Sequence, residues 1–394
     1  MNYHQYFYLL FLFTFFTCKE NDVVKDHNNA DVLEQTFEFD LAREIIPYNE
    51  AIEKIEAIEI KSNDLIYLSQ PPFSKIICNN DDFIVSTTYD NLNLFTFQNS
   101  GEVYSRIVAN QSNISSPKLI TSFDFSNDQK SLYVLDRLQS KIFHYDLKGL
   151  LKKVYTINSS AYKLLTISDS TCFLQAFPID AAIKGTVEPN YIGSIYNYNT
   201  GSETKVYINE GSVVRNRHLG LGAYYTNNNN VLYNYPYSRN IYIIDNKSVI
   251  QIIKLNSKDF VDTLLIQKLD SRKYGEENEI SNVIFNTEKI AYINFIYMNE
   301  DIYFFVFGHE RKLKWLFYNA KINQYKVIEF KYQDTIEING LVFKPYIQNA
   351  NKNYLLYFLD GELLLKESNT IKINKNSNYI VKIYPKYLNP EAWE

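Results

Sequence analysis

The segment SLYVLDRLQSKIFHYDLKGLLKKVYTI, residues 131–157, contains three short apolar runs separated by two polar breaks. Alternating apolar residues over this length are typical of half-buried β-strands, and the breaks carry turn residues. We therefore interpret the segment as an antiparallel meander. Whether it stands alone or is one copy of a repeat decides the fold.

The meander recurs along the chain. Residues 83–107 have the same layout shifted by 48 positions, which places Leu94 over Ile142 and Gly101 over Gly149. Further copies lie at 191–208, 231–255, 301–330 and, in degenerate form, 353–367. Units of three or four strands at spacings of roughly 40 to 75 residues are typical of β-propellers.

A single meander would leave two apolar faces in water, so each unit needs neighbours on both sides and a closed ring. We predict an all-β fold, a six-bladed β-propeller formed by residues 36–394. The strand at residues 55–60 is expected to pair with C-terminal strands and close the ring. Four residues should pack between blades: Leu132, Val134, Ile142 and Tyr145.

The N-terminus predicts export. Residues 1–17 carry no charge, and residues 6–17 are almost wholly apolar, which suits a signal peptide better than a membrane span. Cys18 follows directly and resembles the lipid-attachment cysteine of bacterial lipoproteins, although Phe15 and Thr17 depart from that pattern. An ordinary cleaved signal and an uncleaved hydrophobic stub are the alternatives.

Polar residues 18–35 are expected to form a flexible tether. The segment Lys19–Asp22 resembles the signal that sends lipoproteins of the Bacteroidota to the outer face of the outer membrane. The resemblance implies a cell-surface location, with a periplasm-facing position as the alternative.

Four stretches of the chain resemble the six-bladed β-propeller lipoproteins of the Bacteroidota, relatives of the NHL-repeat propellers. These stretches are residues 132–149, 231–245, 291–307 and 373–386, and the likeness extends over about residues 40–386. The family usually has a Gly-Pro-rich loop after the first blade, whereas this chain reads ANQSNISSPKL at 109–119. A binding role for that loop would therefore not carry over.

Motifs for catalysis are missing from the sequence. It has no G-x-S-x-G elbow, H-E-x-x-H, P-loop or EF-hand loop, and His144, His218 and His309 are too scattered for a His-rich metal centre. Cys78 and Cys172 are interpreted as two buried thiols rather than a disulfide. The net charge of −5, without a basic stripe, argues against nucleic acid as a partner.

The loop at residues 211–225 is the best binding candidate. It places Arg215, Arg217 and His218 before the expected inner strand of the fourth blade, where two guanidinium groups could hold a carboxylate, sulfate or phosphate. Arg137 and Arg239 occupy similar places in their own blades. A solvated loop with its charges in water is the alternative.

Two function classes follow. The first is an exported, surface-anchored lipoprotein that acts as a binding or scaffolding propeller for a protein, peptide or glycan, without catalysis and without a cofactor. The alternative is a calcium-dependent hydrolase or lyase at the channel mouth, with acidic and amide candidates Asp82, Asp124, Asp169 and Asn282. The Tyr-rich run at 233–238 is interpreted as core packing rather than a sugar-stacking surface. The insertion at 259–280 has no assigned chemistry.

Overall fold

The computed structural model describes a large part of the chain. The described residues are 32–61, 76–79, 83–88, 90–110, 112–113, 115–176, 191–208, 222–225, 230–234, 238–262, 289–290, 293–309, 312–331, 336–338, 341–343, 347–360 and 377–393. Residues 1–31, which include Cys18, lie outside this set. Among the described helices, none is long and apolar enough to cross a membrane.

The first described elements are three strands and one short helix. They are β1 (Leu33–Glu38), β2 (Ile45–Ile46), α1 (Tyr48–Ala51) and β3 (Ile52–Glu59).

Three four-stranded antiparallel sheets follow in sequence order. Sheet 1 contains β4 (Ile76–Cys78), β5 (Phe83–Thr87), β6 (Asn93–Gln98) and β7 (Val103–Val108). Sheet 2 contains β8 (Ser122–Phe125), β9 (Ser131–Asp136), β10 (Lys141–Asp146) and β11 (Leu151–Thr156). Sheet 3 contains β12 (Ala161–Thr166), β13 (Thr171–Ala176), β14 (Tyr191–Asn197) and β15 (Glu203–Tyr207).

The remaining sheets each include an N-terminal strand at the outer edge. Sheet 4 contains β16 (Gly222–Tyr225), β17 (Val231–Asn234), β18 (Asn240–Ile244) and β19 (Val249–Asn256), with β1 outermost. Sheet 5 contains β20 (Ile293–Asn299), β21 (Ile302–His309), β22 (Lys312–Asn319) and β23 (Gln324–Lys331), with β2 outermost. After a hairpin of β24 (Ile336–Ile338) and β25 (Leu341–Phe343), sheet 6 contains β26 (Asn349–Ala350), β27 (Leu355–Asp360) and β28 (Asn378–Pro385), with β3 outermost. Two 3-10 turns, Lys386–Leu388 and Pro390–Trp393, end the described chain.

Hydrophobic clusters between sheets show that the ring is closed. Within the described residues there are six clusters, and each is shared by two consecutive sheets. One pair from each cluster, in order around the ring, is Val85 with Val134, Leu135 with Leu174, Phe173 with Tyr233, Ile243 with Phe305, Trp315 with Tyr357, and Phe358 with Phe97. Because the last pair joins sheet 6 to sheet 1, the predicted six-bladed propeller is confirmed.

The segment at residues 131–157 supplies the second, third and fourth strands of sheet 2. Leu132, Val134 and Tyr145 pack against sheet 1, whereas Ile142 packs against sheet 3. All four are at most 5% exposed, as the alternation predicted.

Strand β3 closes the ring, as expected. It pairs antiparallel with β28, with Ile55 opposite Ile383 and Glu59 opposite Tyr379. A 2.6 Å hydrogen bond from the Tyr384 hydroxyl to Glu56 Oε2 adds a side-chain contact between the same strands. The N-terminal part of the chain therefore completes its last sheet.

The structure corrects the boundary of the tether. Residues 18–35 were expected to be flexible, but Leu33–Gln35 belong to β1, which pairs in parallel with β19. The physical reason is that Phe37, two residues after Gln35 in the same strand, is fully buried. Its ring stacks on the ring of Tyr318, with the centroids 4.2 Å apart. The body of the propeller begins at Leu33.

Residues 33–60, which we call the N-terminal strap, cross the outer edges of sheets 4, 5 and 6 in turn. Between β1 and β2, the buried Lys314 Nζ donates to the Leu41 carbonyl oxygen at 2.7 Å and lies 3.0 Å from Glu329 Oε2. Asp259 Oδ2 accepts from Leu41 N at 2.9 Å, so the first residues of the insertion at 259–280 also hold the strap.

The two faces of the ring differ in their loops. In a sheet of four antiparallel strands, the chain leaves the fourth strand on the same side of the ring on which it entered the first strand. The connections from one sheet to the next therefore all lie on one side of the ring. We call this side, which also carries the turns between second and third strands, the linker face. The opposite side, the hairpin face, carries the turns between first and second strands and between third and fourth strands.

Gly101→Ala should destabilise the protein by about 2 kcal/mol more than Gly149→Ala, because only one of these glycines lies against the closing strand. Both have φ +83° and would share a conformational cost of about 1–2 kcal/mol. A Cβ at Gly101 would lie 2.0 Å from the Glu59 carbonyl oxygen, whereas at Gly149 the nearest atom, the Arg106 carbonyl oxygen, is 3.5 Å away. Urea denaturation of both variants measures the difference, and equal losses would contradict the close packing at β3.

Candidate functional site

The linker face holds Arg137, one of the sequence-predicted ligand-binding residues. Arg137 is half-buried in the turn between β9 and β10, and its backbone N–H donates to Thr121 Oγ1 at 3.1 Å. This bond fastens the turn to the connection between sheets 1 and 2. The guanidinium group is therefore presented from a fixed backbone.

Asp136 organises the same part of the linker face. Its carboxylate is fully buried, and Oδ2 accepts from Lys118 N at 2.6 Å and from Gln139 Nε2 at 2.7 Å. Oδ1 accepts from Leu138 N at 2.8 Å. These bonds hold the connection at residues 109–121 against the turn that carries Arg137. This connection contains residues 109–119, which stand where the resembled family usually has a Gly-Pro-rich loop.

Arg239 also lies on the linker face, but its guanidinium group has a structural partner. Nη2 donates to the Val261 carbonyl oxygen at 2.9 Å, and the guanidinium carbon lies 5.5 Å from the centroid of the Phe260 ring. Arg239 therefore braces the segment that leaves sheet 4. One of its donors therefore has a structural partner, and its role in ligand binding stays a prediction.

Arg215, Arg217 and His218 lie outside the described residues. The described chain leaves β15 at Tyr207 and enters β16 at Gly222, so the segment carrying these side chains joins sheet 3 to sheet 4. Both of its ends are on the linker face. Among the predicted ligand-binding residues that the structure describes, Arg137 and Arg239 lie on this same side of the ring.

The residues considered as calcium ligands in the sequence do not come together among the described residues. Asp124 is buried in β8, where Oδ2 accepts from Thr166 N at 2.6 Å and Oδ1 accepts from Phe125 N at 2.9 Å. Oδ2 thus ties the inner strand of sheet 2 to that of sheet 3, and both oxygens accept from backbone N–H groups. Asp169 is exposed in a turn on the hairpin face, and Asp82 and Asn282 lie outside the described residues. Across the described part of the chain, no three His, Cys, Asp or Glu residues form a group that could hold a metal ion.

His144 is the histidine with the best-defined surroundings. Nε2 lies 2.8 Å from Ser131 Oγ, and the imidazole stacks on Tyr133 with ring centroids 4.5 Å apart. Burial lowers the pKa of His144, as do Lys152 and Lys153, while Asp128 acts in the opposite direction. Because Ser131 is only 5% exposed, this Ser–His pair is a packing contact rather than an accessible nucleophile and base.

Among the residues whose burial the structure describes, most Tyr side chains are core residues, as the sequence predicted. Tyr133 and Tyr198 stack between sheets 2 and 3 with centroids 4.4 Å apart. In the run at 233–238, Tyr233 is 2% exposed, and residues 235–237 lie outside the described set. Cys172, next to this aromatic cluster, is a buried free thiol whose pKa burial raises to about 12, and Cys78 is a half-buried free thiol.

Comparisons with known proteins agree with the ring architecture. A family described as a 6-bladed beta-propeller matches residues 26–358. A crystal structure of a Bacteroides fragilis protein described as exported superposes with a TM-score of 0.65 at 13% identity, covering 89% of this chain and 99% of that one. A member of the DUF4221 family from Bacteroides vulgatus gives a TM-score of 0.50 at 11% identity, covering 85% of this chain and 98% of that one. No curated protein sequence matches the chain significantly.

His144→Gln should reduce the loss of stability on acidification. The unfolded chain protonates His144 near its ordinary pKa of 6.5, whereas the folded chain does so only at lower pH. The stability that depends on a neutral imidazole is therefore complete above pH 6.5 and is lost as the pH falls below it.

Urea denaturation at about pH 7.5 and about pH 5.5 tests this difference, with the wild-type protein as reference. The wild-type free energy of unfolding should fall more between the two conditions than that of the variant. An equal fall in both proteins would show that His144 is not held neutral by the fold.

Proposed function

Because the chain belongs to the six-bladed β-propeller family, we propose that it is an exported, lipid-anchored binding protein that presents its linker face to a protein, peptide or glycan. Rigid propellers suit this task because loops from all blades meet on one face while packing between blades fixes their spacing. The proposal has two parts, the anchor and the face that binds.

The anchor is proposed at Cys18. An uncharged apolar run ends at this cysteine, and polar residues follow it directly. The Bacteroides fragilis structural neighbour is described as exported, which supports an extracytoplasmic location. The acidic residues after Lys19 favour the outer face of the outer membrane, where a large binding face would meet external ligands.

The choice of the linker face as the binding face rests on the position of β1. It runs parallel to β19, with Leu33 opposite Gln251 and Glu38 opposite Asn256. Strand β19 starts immediately after a turn of the hairpin face, so Leu33 lies towards that face. A tether from Cys18 therefore joins the ring on the side opposite Arg137, and the linker face is the side free to meet a ligand.

Charge gives the proposed ligand its chemistry. Arg137 lies on the linker face, and the segment that contains Arg215, Arg217 and His218 in the sequence has both of its described ends on that face. Paired guanidinium groups bind carboxylates, sulfates and phosphates in a bidentate manner. The ligand is thus proposed to carry acidic groups, as acidic peptides and acidic glycans do.

Binding without catalysis is preferred over a calcium-dependent hydrolase or lyase. Such an enzyme needs several carboxylate or amide oxygens directed at one ion. The one buried acidic candidate among the described residues, Asp124, directs both oxygens at backbone N–H groups.

Cys18→Ala should abolish lipidation and surface display. Wild-type protein should begin at Cys18 with attached acyl chains and be cut by protease added to intact cells, because the lipid holds it on the outer surface. The variant should lack the acyl mass and resist external protease, and Cys78→Ala, a change at a half-buried cysteine of the propeller, is the matched control. Unchanged N-terminal mass and accessibility in Cys18→Ala would reject the anchor.

A photoreactive residue at Leu138 should crosslink to the ligand, whereas one at Leu150 should not. Both leucines belong to sheet 2 and are similarly exposed, at 69% and 64%, but Leu138 lies on the linker face and Leu150 on the hairpin face. The measurement is crosslinking in intact cells followed by mass spectrometry of the adduct. Specific adducts from Leu150 alone, or from neither position, would contradict binding at the linker face.

A further inference from the structure

The hairpin between β10 and β11 displays apolar side chains in water. Leu150 is 64% exposed and Leu151 is 38% exposed. Exposed lysines surround them at Lys148, Lys152 and Lys153. We call residues 146–153 the sheet 2 hairpin, and its composition is basic and apolar together.

The backbone holds these side chains outward. Asp146 Oδ1 accepts from Leu150 N at 2.9 Å, which fixes the turn. Ser105 Oγ donates to the Leu147 carbonyl oxygen at 2.7 Å, so the turn is also fastened to sheet 1. Because the turn is fastened on both sides, the exposed leucines are a stable feature of the surface.

Further apolar side chains are exposed on the outer strands of sheets 1 and 2. Val154 on β11 is 36% exposed, and on β7, the outer strand of sheet 1, Val103 and Tyr104 are 36% and 37% exposed. Clustered apolar side chains in water mark an interaction surface more strongly than scattered ones do.

The corresponding hairpins of two other sheets repeat the combination. Lys247 and Ile250 are exposed next to the turn before β19, and Lys321 and Ile322 are exposed in the turn before β23. Exposed carboxylates on the same face include Asp128, Asp169, Glu300 and Asp301 in the turns between first and second strands, and Glu102 in the outer turn of sheet 1. The combination of lysine with exposed aliphatic side chains is thus a property of the outer turns of sheets 2, 4 and 5.

The tether joins the ring on this same face. Leu33, the first residue of β1, is 62% exposed towards the hairpin face. The 14 residues between Cys18 and Leu33 can span about 50 Å when extended. That length allows the face to lie against the membrane that holds the anchor.

We propose that the rim of the hairpin face rests on an anionic lipid surface, with Leu150 and Leu151 entering the headgroup layer and the three lysines contacting lipid phosphates. Lysine next to exposed aliphatic side chains is the combination that binds anionic bilayers, because the ammonium groups meet phosphate while the apolar groups leave water. This inference rests on the lipid anchor of the proposed function.

A peptide strand added to β11 fits the same residues less well. Lysines on an outer strand oppose pairing with another chain, and β11 carries Lys152 and Lys153 side by side. The pairing of β10 with β11 also shifts register between His144 and Tyr145, which distorts the edge that a new strand would need.

Tryptophan quenching tests the inference in the intact lipoprotein. Leu150→Trp and Leu138→Trp are a matched pair on opposite faces of sheet 2. Each protein is reconstituted through its own lipid into phosphatidylcholine vesicles with about 30 mol% phosphatidylglycerol and brominated acyl chains. Quenching should be at least twofold larger for Leu150→Trp, and added salt should reduce it.

Charge reversal provides the second measurement. Lys148→Glu, Lys152→Glu and Lys153→Glu, combined with Leu150→Trp, should lower the quenching to the level of Leu138→Trp. The same three changes without Leu150→Trp should leave the emission of the native Trp315 and Trp393, a reporter of folding, unchanged. Equal quenching at the two faces, or no effect of charge reversal, would overturn the inference. A protein adduct at Leu150 without quenching would instead assign the surface to a protein partner.

Flotation with neutral phosphatidylcholine vesicles separates this inference from the anchor. Failure to float would contradict lipidation at Cys18 and thus the proposed function. In that case the same chain is mixed with the anionic brominated vesicles, and preferential quenching of Leu150→Trp still supports the membrane-facing rim, while its absence overturns it.

Discussion

The pairing of β3 with β28 is the constraint on which the rest of the structure depends. Without β3, sheet 6 would present β28 as an unpaired edge, and the interface between sheets 6 and 1 would lose Ile58 and Ile60. The buried Lys382 of β28 reinforces the closure, because its Nζ donates to Asn99 Oδ1 at 2.5 Å and lies over the Tyr354 ring. Since the Tyr384–Glu56 and Lys382–Asn99 hydrogen bonds join residues 328 and 283 positions apart, the ring can close only after the whole chain is present.

The strap that supplies β3 also sets where the described chain enters the propeller. It adds β1 to sheet 4 in parallel and β2 to sheet 5 in parallel before it reaches sheet 6. The direction of β1 places Leu33 at the hairpin face. One segment, residues 33–60, therefore closes the ring and underlies both proposals, the binding linker face and the membrane-facing rim.

Much of the fold could be predicted from the sequence because propeller blades repeat. The copies at 83–107 and 131–157 share apolar positions and a turn glycine, and the closing strand at 55–60 contains three isoleucines. Strands β1 and β2 have no repeated counterpart, so comparison between copies could not find them. The alternation of Phe37, Phe39 and Leu41 was the available signal, and it extends the folded body beyond the expected tether boundary.

The candidate site was predictable only in its location. Topology alone places the turns carrying Arg137 and Arg239 on the linker face. The partners of individual side chains could not be predicted, because they come from distant parts of the chain: Arg239 meets Val261, and Asp124 meets Thr166 of the next sheet. Whether a carboxylate or guanidinium group is used within the fold or left for a ligand depends on such contacts.

Hydrogen–deuterium exchange of the strap tests ring closure most directly. The hydrogen-bonded amides of β3 should exchange as slowly as those of β28, through one common opening of the ring. Complete exchange of β3 while β28 stays protected would contradict the account, because the ring would then be stable without its closing strand.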